Sequence, residues 1–164
     1  MGVLSNFLFF QTLPHQTINS TIIQTEIVGI WQYKTAEVSS ALLENFQFFN
    51  NGNFIFNTNS YNDLNPLRSI SGSYILQNNI LKLKVIQVRQ RVGYKILEAD
   101  HGFQSEPFQI KGGNIFIIEQ NDTEYSEHEI KFIVTPKGSV IKSIKIDEEL
   151  YFKLSADPNK FTTK

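Results

Sequence analysis

The chain has 164 residues, a formal net charge of −1 and no cysteine. That length is most simply one domain, large enough to bury its own core without covalent staples. A disulfide framework, a thiolate metal site and a cysteine nucleophile are excluded outright, and the near-neutral balance argues against a nucleic-acid partner held by general electrostatics.

Hydrophobic residues make up 41% and charged residues 19% of the chain, which places it in the globular class. Fourteen Phe and six Tyr stand against one Trp and one Met. β-Branched and aromatic side chains suit a pleated, half-buried surface, so strands are expected over helices. No apolar run reaches the length of a membrane-spanning helix, and no transmembrane segment is expected. Residues 1–26 are expected to form an N-terminal arm. Met1–Phe10 is apolar but lacks a basic region and a small-residue cleavage site. Ser20 is placed to cap a short helical turn over Thr21–Gln24. Residues 27–155 carry the strand rhythm, and 156–164 form a polar tail. An exported protein whose signal has been removed is favoured over a cytoplasmic one.

In chain order, Ile27–Lys34 comes first. Gly29, Trp31 and Tyr33 share one face and Val28, Ile30 and Gln32 the other, so at least one end of this strand is expected to be covered on both sides. Glycine inside a strand is tolerated where a backbone or a large ring comes close. Thr35–Glu44 is expected as a loop or one helical turn. Asn45–Phe49 and Phe54–Thr58 flank Asn50-Asn51-Gly52-Asn53, read as a hairpin with a type I′ turn. After a polar loop over Asn59–Ser69, Ile70–Leu76 and Ile80–Val88 are joined by Gln77-Asn78-Asn79. The alternation slips at Ile86, which predicts a bulge. Arg91–Leu97 is a further strand, with Val92, Tyr94 and Ile96 on one face and Arg91 and Lys95 on the other. Phe108–Ile110 and Asn114–Glu119 around Lys111-Gly112-Gly113 read as another hairpin. Glu127–Thr135 and Ser139–Ile146 follow around Pro136-Lys137-Gly138, and Leu150–Leu154 closes the series. About ten short strands with little helix predict an all-β, up-and-down antiparallel meander barrel, because an open meander leaves two sticky edges.

Several of these segments resemble a known family. Gly29-Ile30-Trp31 is similar to the Gly-x-Trp signature of lipocalins and other calycin proteins. Phe46–Phe54 around Asn51-Gly52, then Ser71-Gly72-Ser73-Tyr74-Ile75-Leu76, then Asn79-Ile80-Leu81 follow the order of motifs in small bacterial lipocalin-like domains. The resemblance covers Ile27 to Val88 by motif and the remainder by strand rhythm. Thr123-Glu124-Tyr125 faintly echoes a second lipocalin motif. The arginine that covers the tryptophan from the last strand in that family has no counterpart, since no Arg follows Arg91. The resemblance implies that Gly29 and Trp31 form the structural plug of a barrel whose interior often holds an apolar ligand.

Tyr33, Phe54, Phe56, Tyr74 and Tyr94 are the candidate lumen residues for a small hydrophobic or amphipathic ligand, with tyrosine hydroxyls to orient a polar head. Each ring has the simpler alternative of filling a core. Arg89 and Arg91 lie opposite Val92 and Tyr94 and are expected to face solvent. His15, His101 and His128 are far apart with no metal-ligand spacing, and neither metal nor cofactor is expected. Asp100, His101 and Glu106 share a loop, and Glu124, Glu127 and Glu129 surround His128, but no spacing marks a catalytic pair. The reading is a non-enzymatic binding barrel. The alternative is a barrel with a filled core that meets a protein partner through loops or an edge strand.

Overall fold

The computed structural model describes residues 24–37, 43–59, 62–98, 107–121, 124–133 and 142–160. It contains one helical turn, α1 (Gln24–Ile27), and nine strands: β1 (Gly29–Tyr33), β2 (Asn45–Phe48), β3 (Asn53–Asn57), β4 (Leu67–Gln77), β5 (Ile80–Glu98), β6 (Phe108–Glu119), β7 (Ser126–Ile133), β8 (Ser143–Ile146) and β9 (Glu149–Ser155). Every pairing is antiparallel. The sheet order is β4-β3-β2-β1-β9-β8-β7-β5-β6, and an added β4–β5 pairing closes eight of the strands into an up-and-down barrel. Closure removes the edges that an open meander would leave.

The turns explain the meander locally. Asn78 and Asn79 (φ 51° and 62°) and Asp147 and Glu148 (φ 48° and 71°) occupy left-handed conformations, as two-residue hairpin turns require. The turn at 50–53 forms where expected but in another geometry. Only Gly52 is left-handed (φ 79°), and its amide donates to the Phe49 carbonyl while Phe49 N donates to Asn53 O. This is a three-residue loop with glycine at its left-handed end, not a type I′ turn. The slip at Ile86 is a bulge: Ser71 pairs with Gln87 and Gly72 with Val85, leaving Ile86 over. Turn residues 136–138, the loop at 99–106 and the central part of 35–44 lie outside the described residues.

Two expectations are overturned between residues 80 and 119. The expected strands at 80–88 and 91–97 are one 19-residue strand. Lys111-Gly112-Gly113 is not a hairpin turn either, because β6 pairs continuously with β5 from Glu98↔Phe108 to Gln87↔Glu119. The glycines do not reverse the chain; they bend it. Gly93, Gly112 and Gly113 all have φ near +74°, a left-handed backbone that other residues adopt only with strain, and at Gly113 a Cβ would also stand 2.9 Å from Val92 O. β4 accompanies β5 only as far as Gln90. Beyond it, residues 91–98 with their β6 partners project as a ribbon roughly 25 Å long.

The core is the barrel's inner face: Trp31, Phe46, Phe48, Phe54, Tyr74, Leu81, Leu83, Ile130, Ile144, Ile146 and Tyr151, joined by Ile27 of α1. Both faces of β1 are buried, as the sequence predicts. On its outer face the Gln32 amide donates to Thr35 O (3.1 Å) and Glu37 O (2.8 Å) and accepts from Leu43 N (3.0 Å), tying down the connection to β2.

Candidate functional site

The barrel interior is filled largely by aromatic rings. At the end that carries the 50–53 and 78–79 turns, Trp31, Phe48, Phe54 and Tyr74 are all but fully buried. Around this core six apolar residues stay part-exposed: Leu76 and Phe132 at this end, and Tyr33, Phe56, Ile70 and Val85 toward the other. Alternation along each strand supplies both sets: Trp31 then Tyr33, Phe54 then Phe56. We call the end closed by Trp31, Phe48, Phe54 and Tyr74 the plugged end, and the end at Tyr33 and Phe56, where apolar rings meet polar groups, the open end.

A chain of rings connects the two ends. Tyr74 meets Phe48 edge-on (5.0 Å), Phe48 stacks on Phe46 (5.3 Å), and Phe46 touches Phe56 (4.7 Å) and Tyr151 (5.5 Å), which touches Tyr33 (5.5 Å). At the plugged end the Tyr74 hydroxyl donates to Phe49 O (2.9 Å), and burial pushes its pKa up. Trp31 Nε1 donates to Ile27 O, and its ring lies against Phe132 (6.1 Å). Lys153 of β9 holds its ammonium 5.0 Å from the indole centroid and donates to Glu26 O (3.1 Å). Gly29 (φ 129°) lies where a Cβ would stand 2.2 Å from Ser155 O.

The open end is polar. The Tyr33 hydroxyl donates to Glu149 Oε2 (2.7 Å), and Lys34 places its ammonium 4.5 Å over the Tyr33 ring. Burial holds the Glu44 carboxyl above the usual carboxylate range, Glu149 adds to the effect, and Lys34 opposes it. The Tyr151 hydroxyl is raised far above its ordinary value, first by burial and then by Glu44, Glu149, Tyr33 and Asp147. Three carboxylates and two tyrosines thus converge from β1, β9 and the segments beside them.

Next to this rim, Ser126, His128 and Asp147 form a hydrogen-bonded row. His128 Nε2 lies 3.0 Å from Ser126 Oγ, and Nδ1 contacts Asp147 Oδ2, whose other oxygen accepts from Glu129 N (2.8 Å). The row has the order of a nucleophile, base and orienting acid. Ser126 Oγ also lies 3.2 Å from Leu83 O, so the row links β5, β7 and the β8–β9 turn through side-chain hydrogen bonds. His128 takes its partners from Ser126 and Asp147; its neighbours Glu127 and Glu129 pair instead with Lys82 (2.6 Å) and Lys131 (3.1 Å).

The structure separates the five lumen candidates. Tyr33 and Phe56 meet at the open end through Phe46 and Tyr151, Phe54 and Tyr74 belong to the plugged end, and Tyr94 stands apart on the projecting ribbon. Arg89 is exposed as expected, and Arg91 is half-buried. Sequence reading missed Glu44, Tyr151, Glu149, Asp147 and Lys153. In β9 the apolar alternation draws attention to Leu150, Phe152 and Leu154, whereas the lumen face carries Tyr151, fully paired across from Tyr33. Among the described residues, no group of three or more His, Asp or Glu has metal-ligand geometry, and no helix is long and apolar enough to cross a membrane. No family model, curated protein or solved structure matches the chain.

Proposed function

We propose that this chain is a non-enzymatic, lipocalin-like binding protein that takes a small apolar or amphipathic ligand through the open end of its barrel. The observation that carries the proposal is the part-exposure of Tyr33 and Phe56 on the inner face, beside the buried rings of Phe46 and Tyr151 and the polar groups of Glu44 and Glu149. A ligand seated on those rings and burying roughly 250 Å² of apolar surface would gain roughly 6 kcal/mol before the costs of association. Tyr33, Tyr151 and the nearby carboxylates would orient its polar group. The stack of Lys153 on Trp31 supports the family reading, since it puts a cation from the last strand over the first-strand tryptophan. On that reading Lys153 would serve where lipocalins use an arginine.

The test is native mass spectrometry of the purified chain, followed by titration with an environment-sensitive apolar fluorophore. The expected result is a co-purifying small molecule, or saturable one-to-one probe binding that Phe56→Trp reduces by filling the open end. Probe binding indifferent to Phe56→Trp and to a change at Tyr33, with no co-purifying molecule, would overturn the proposal.

A further inference from the structure

The projecting ribbon of β5 and β6 carries apolar side chains that the barrel does not cover. Ile96 is 57% exposed, Phe116 50% and Ile117 64%, with Val92, Phe108 and Ile115 also exposed. Val92, Ile96, Phe108 and Phe116 fall on one face of the ribbon and Ile115 and Ile117 on the other, so both faces carry uncovered apolar side chains. The backbone specifies what kind of contact. Gln120 N donates to Ile86 O (2.7 Å), and the register runs unbroken from Gln87↔Glu119 to Val92↔Asn114. Alternation along an antiparallel ladder therefore turns the N–H and C=O groups of Asn114, Phe116 and Ile118 toward β5. Those of Ile115, Ile117 and Glu119 point away from it. Among the described residues, no strand pairs with that outer edge.

This edge decides between partners. A lipid surface would accept the apolar side chains but leaves open-edge amides without partners, and open sheet edges do not occur in hydrocarbon. The occupant must supply a strand. Natural edges are guarded by charges, proline or bulges; here charges stand only at the ends, Lys111 and Glu119, and Asn114-Ile115-Phe116-Ile117-Ile118 between them has none of these.

The edge is complementary to itself. If two β6 strands run antiparallel about a two-fold axis at Ile115, Ile115 faces its own copy, Ile117 faces Gly113 and Lys111 faces Glu119. The ion pair forms twice. Moving the register by one pair places Lys111 opposite Ile117 or carries it past Glu119 altogether. In the centred register Ile115, Ile117 and Glu119 present the outward backbone groups, and Lys111 meets Glu119 across the bend at Gly112-Gly113. Ile115 and Ile117 of each copy then lie side by side on one face of the joined sheet and Phe116 and Ile118 on the other, all of them exposed in the single chain. We propose that two copies of this chain join edge to edge through β6, centred on Ile115, as a two-fold dimer with one continuous sheet across both barrels. The inference does not draw on the ligand reading.

Sedimentation velocity of the full chain over a concentration series tests it. The wild-type protein is expected to dimerise. Ile117→Pro removes an outward N–H and leaves the β5 ladder intact, and is expected to be monomeric with an unchanged circular dichroism spectrum. Lys111→Glu sets like charges opposite each other twice and is expected to weaken the dimer about tenfold or more in Kd. The double variant Lys111→Glu/Glu119→Lys, or a mixture of the two single variants, restores it. This charge exchange keeps the test decisive if the proline variant fails to fold. A wild-type chain that stays monomeric throughout, a folded proline variant that dimerises as tightly, or a charge exchange without recovery would each overturn the proposal. So would a monomer that co-sediments with vesicles of phosphatidylcholine and phosphatidylglycerol, which would assign the ribbon to lipid.

Discussion

The contact between Lys153 and Trp31 gives the sharpest energetic test of the plugged end. Three opposing effects act on Lys153: its ammonium lies 5.0 Å from the indole centroid, it donates to Glu26 O (3.1 Å), and burial lowers its pKa from 10.5, with Lys142 adding to the effect and Glu26 opposing it. A partly desolvated cation–π contact contributes about 1 kcal/mol and the hydrogen bond about 1 kcal/mol, while burial of the charge offsets much of this. Lys153→Met keeps the stem and is expected to change stability at pH 7 by less than about 1 kcal/mol. Trp31→Leu removes a fully buried indole, and is expected to cost about 3–4 kcal/mol, a large share of the 5–15 kcal/mol typical of a domain. The double variant isolates the contact, with an expected coupling of about 1 kcal/mol. The pH dependence has a definite sign. Because the folded-state pKa lies below 10.5, the unfolded chain binds more protons between those two values. Stability from this group therefore rises as pH climbs through the folded pKa toward 10.5, and is unaffected well below it. Urea unfolding followed by circular dichroism, at neutral and alkaline pH, measures both quantities. Zero coupling, or parallel stability profiles for wild type and Lys153→Met across the alkaline range, would refute this account.

Two further expectations rest on single positions. Gly72→Ala would place a Cβ 1.8 Å from Lys84 O and 3.1 Å from Ile86 N, so the Ile86 bulge must shift. The variant is expected to lose about 3 kcal/mol or more in a thermal melt, while Gly93→Ala, with open space but φ +74°, loses only about 1–2 kcal/mol from backbone strain. Glu44→Gln tests the open end. The Glu44 pKa is raised by burial and by Glu149, so the folded chain holds this proton longer than the unfolded one, and stability from this group falls as pH rises from the unfolded value of about 4.5 through the folded pKa. The glutamine variant is expected to flatten that slope in denaturation midpoints measured across the acid range; an unchanged slope would remove Glu44 from the buried rim.

The local elements of this protein were legible in its sequence. Alternation located most of the strands, the Asn-Asn and Asn-Gly pairs marked turns, and the slip at Ile86 marked the bulge, because these depend on side-chain period and left-handed backbone preference over a few residues. The glycines at 112 and 113 show where such reasoning stops. A glycine pair between apolar runs fits a hairpin and a bent ribbon equally well locally. Which one forms depends on whether residues 108–119 find a partner in themselves or in the long strand at 87–98, a competition between local closure and a longer ladder. The open end depends on contacts over greater separations. Tyr33 meets Tyr151 and Glu149, and Trp31 meets Lys153, across more than a hundred residues. No period or motif marks Tyr151, since its strand carries its bulkier apolar side chains on the other face. The sequence by itself determined a meander of strands with an aromatic face. Tertiary structure alone decided which rings were plugged in, which stayed open beside the carboxylates, and which strand was left with an unpaired edge, because barrel closure sets the register between residues that the chain keeps far apart.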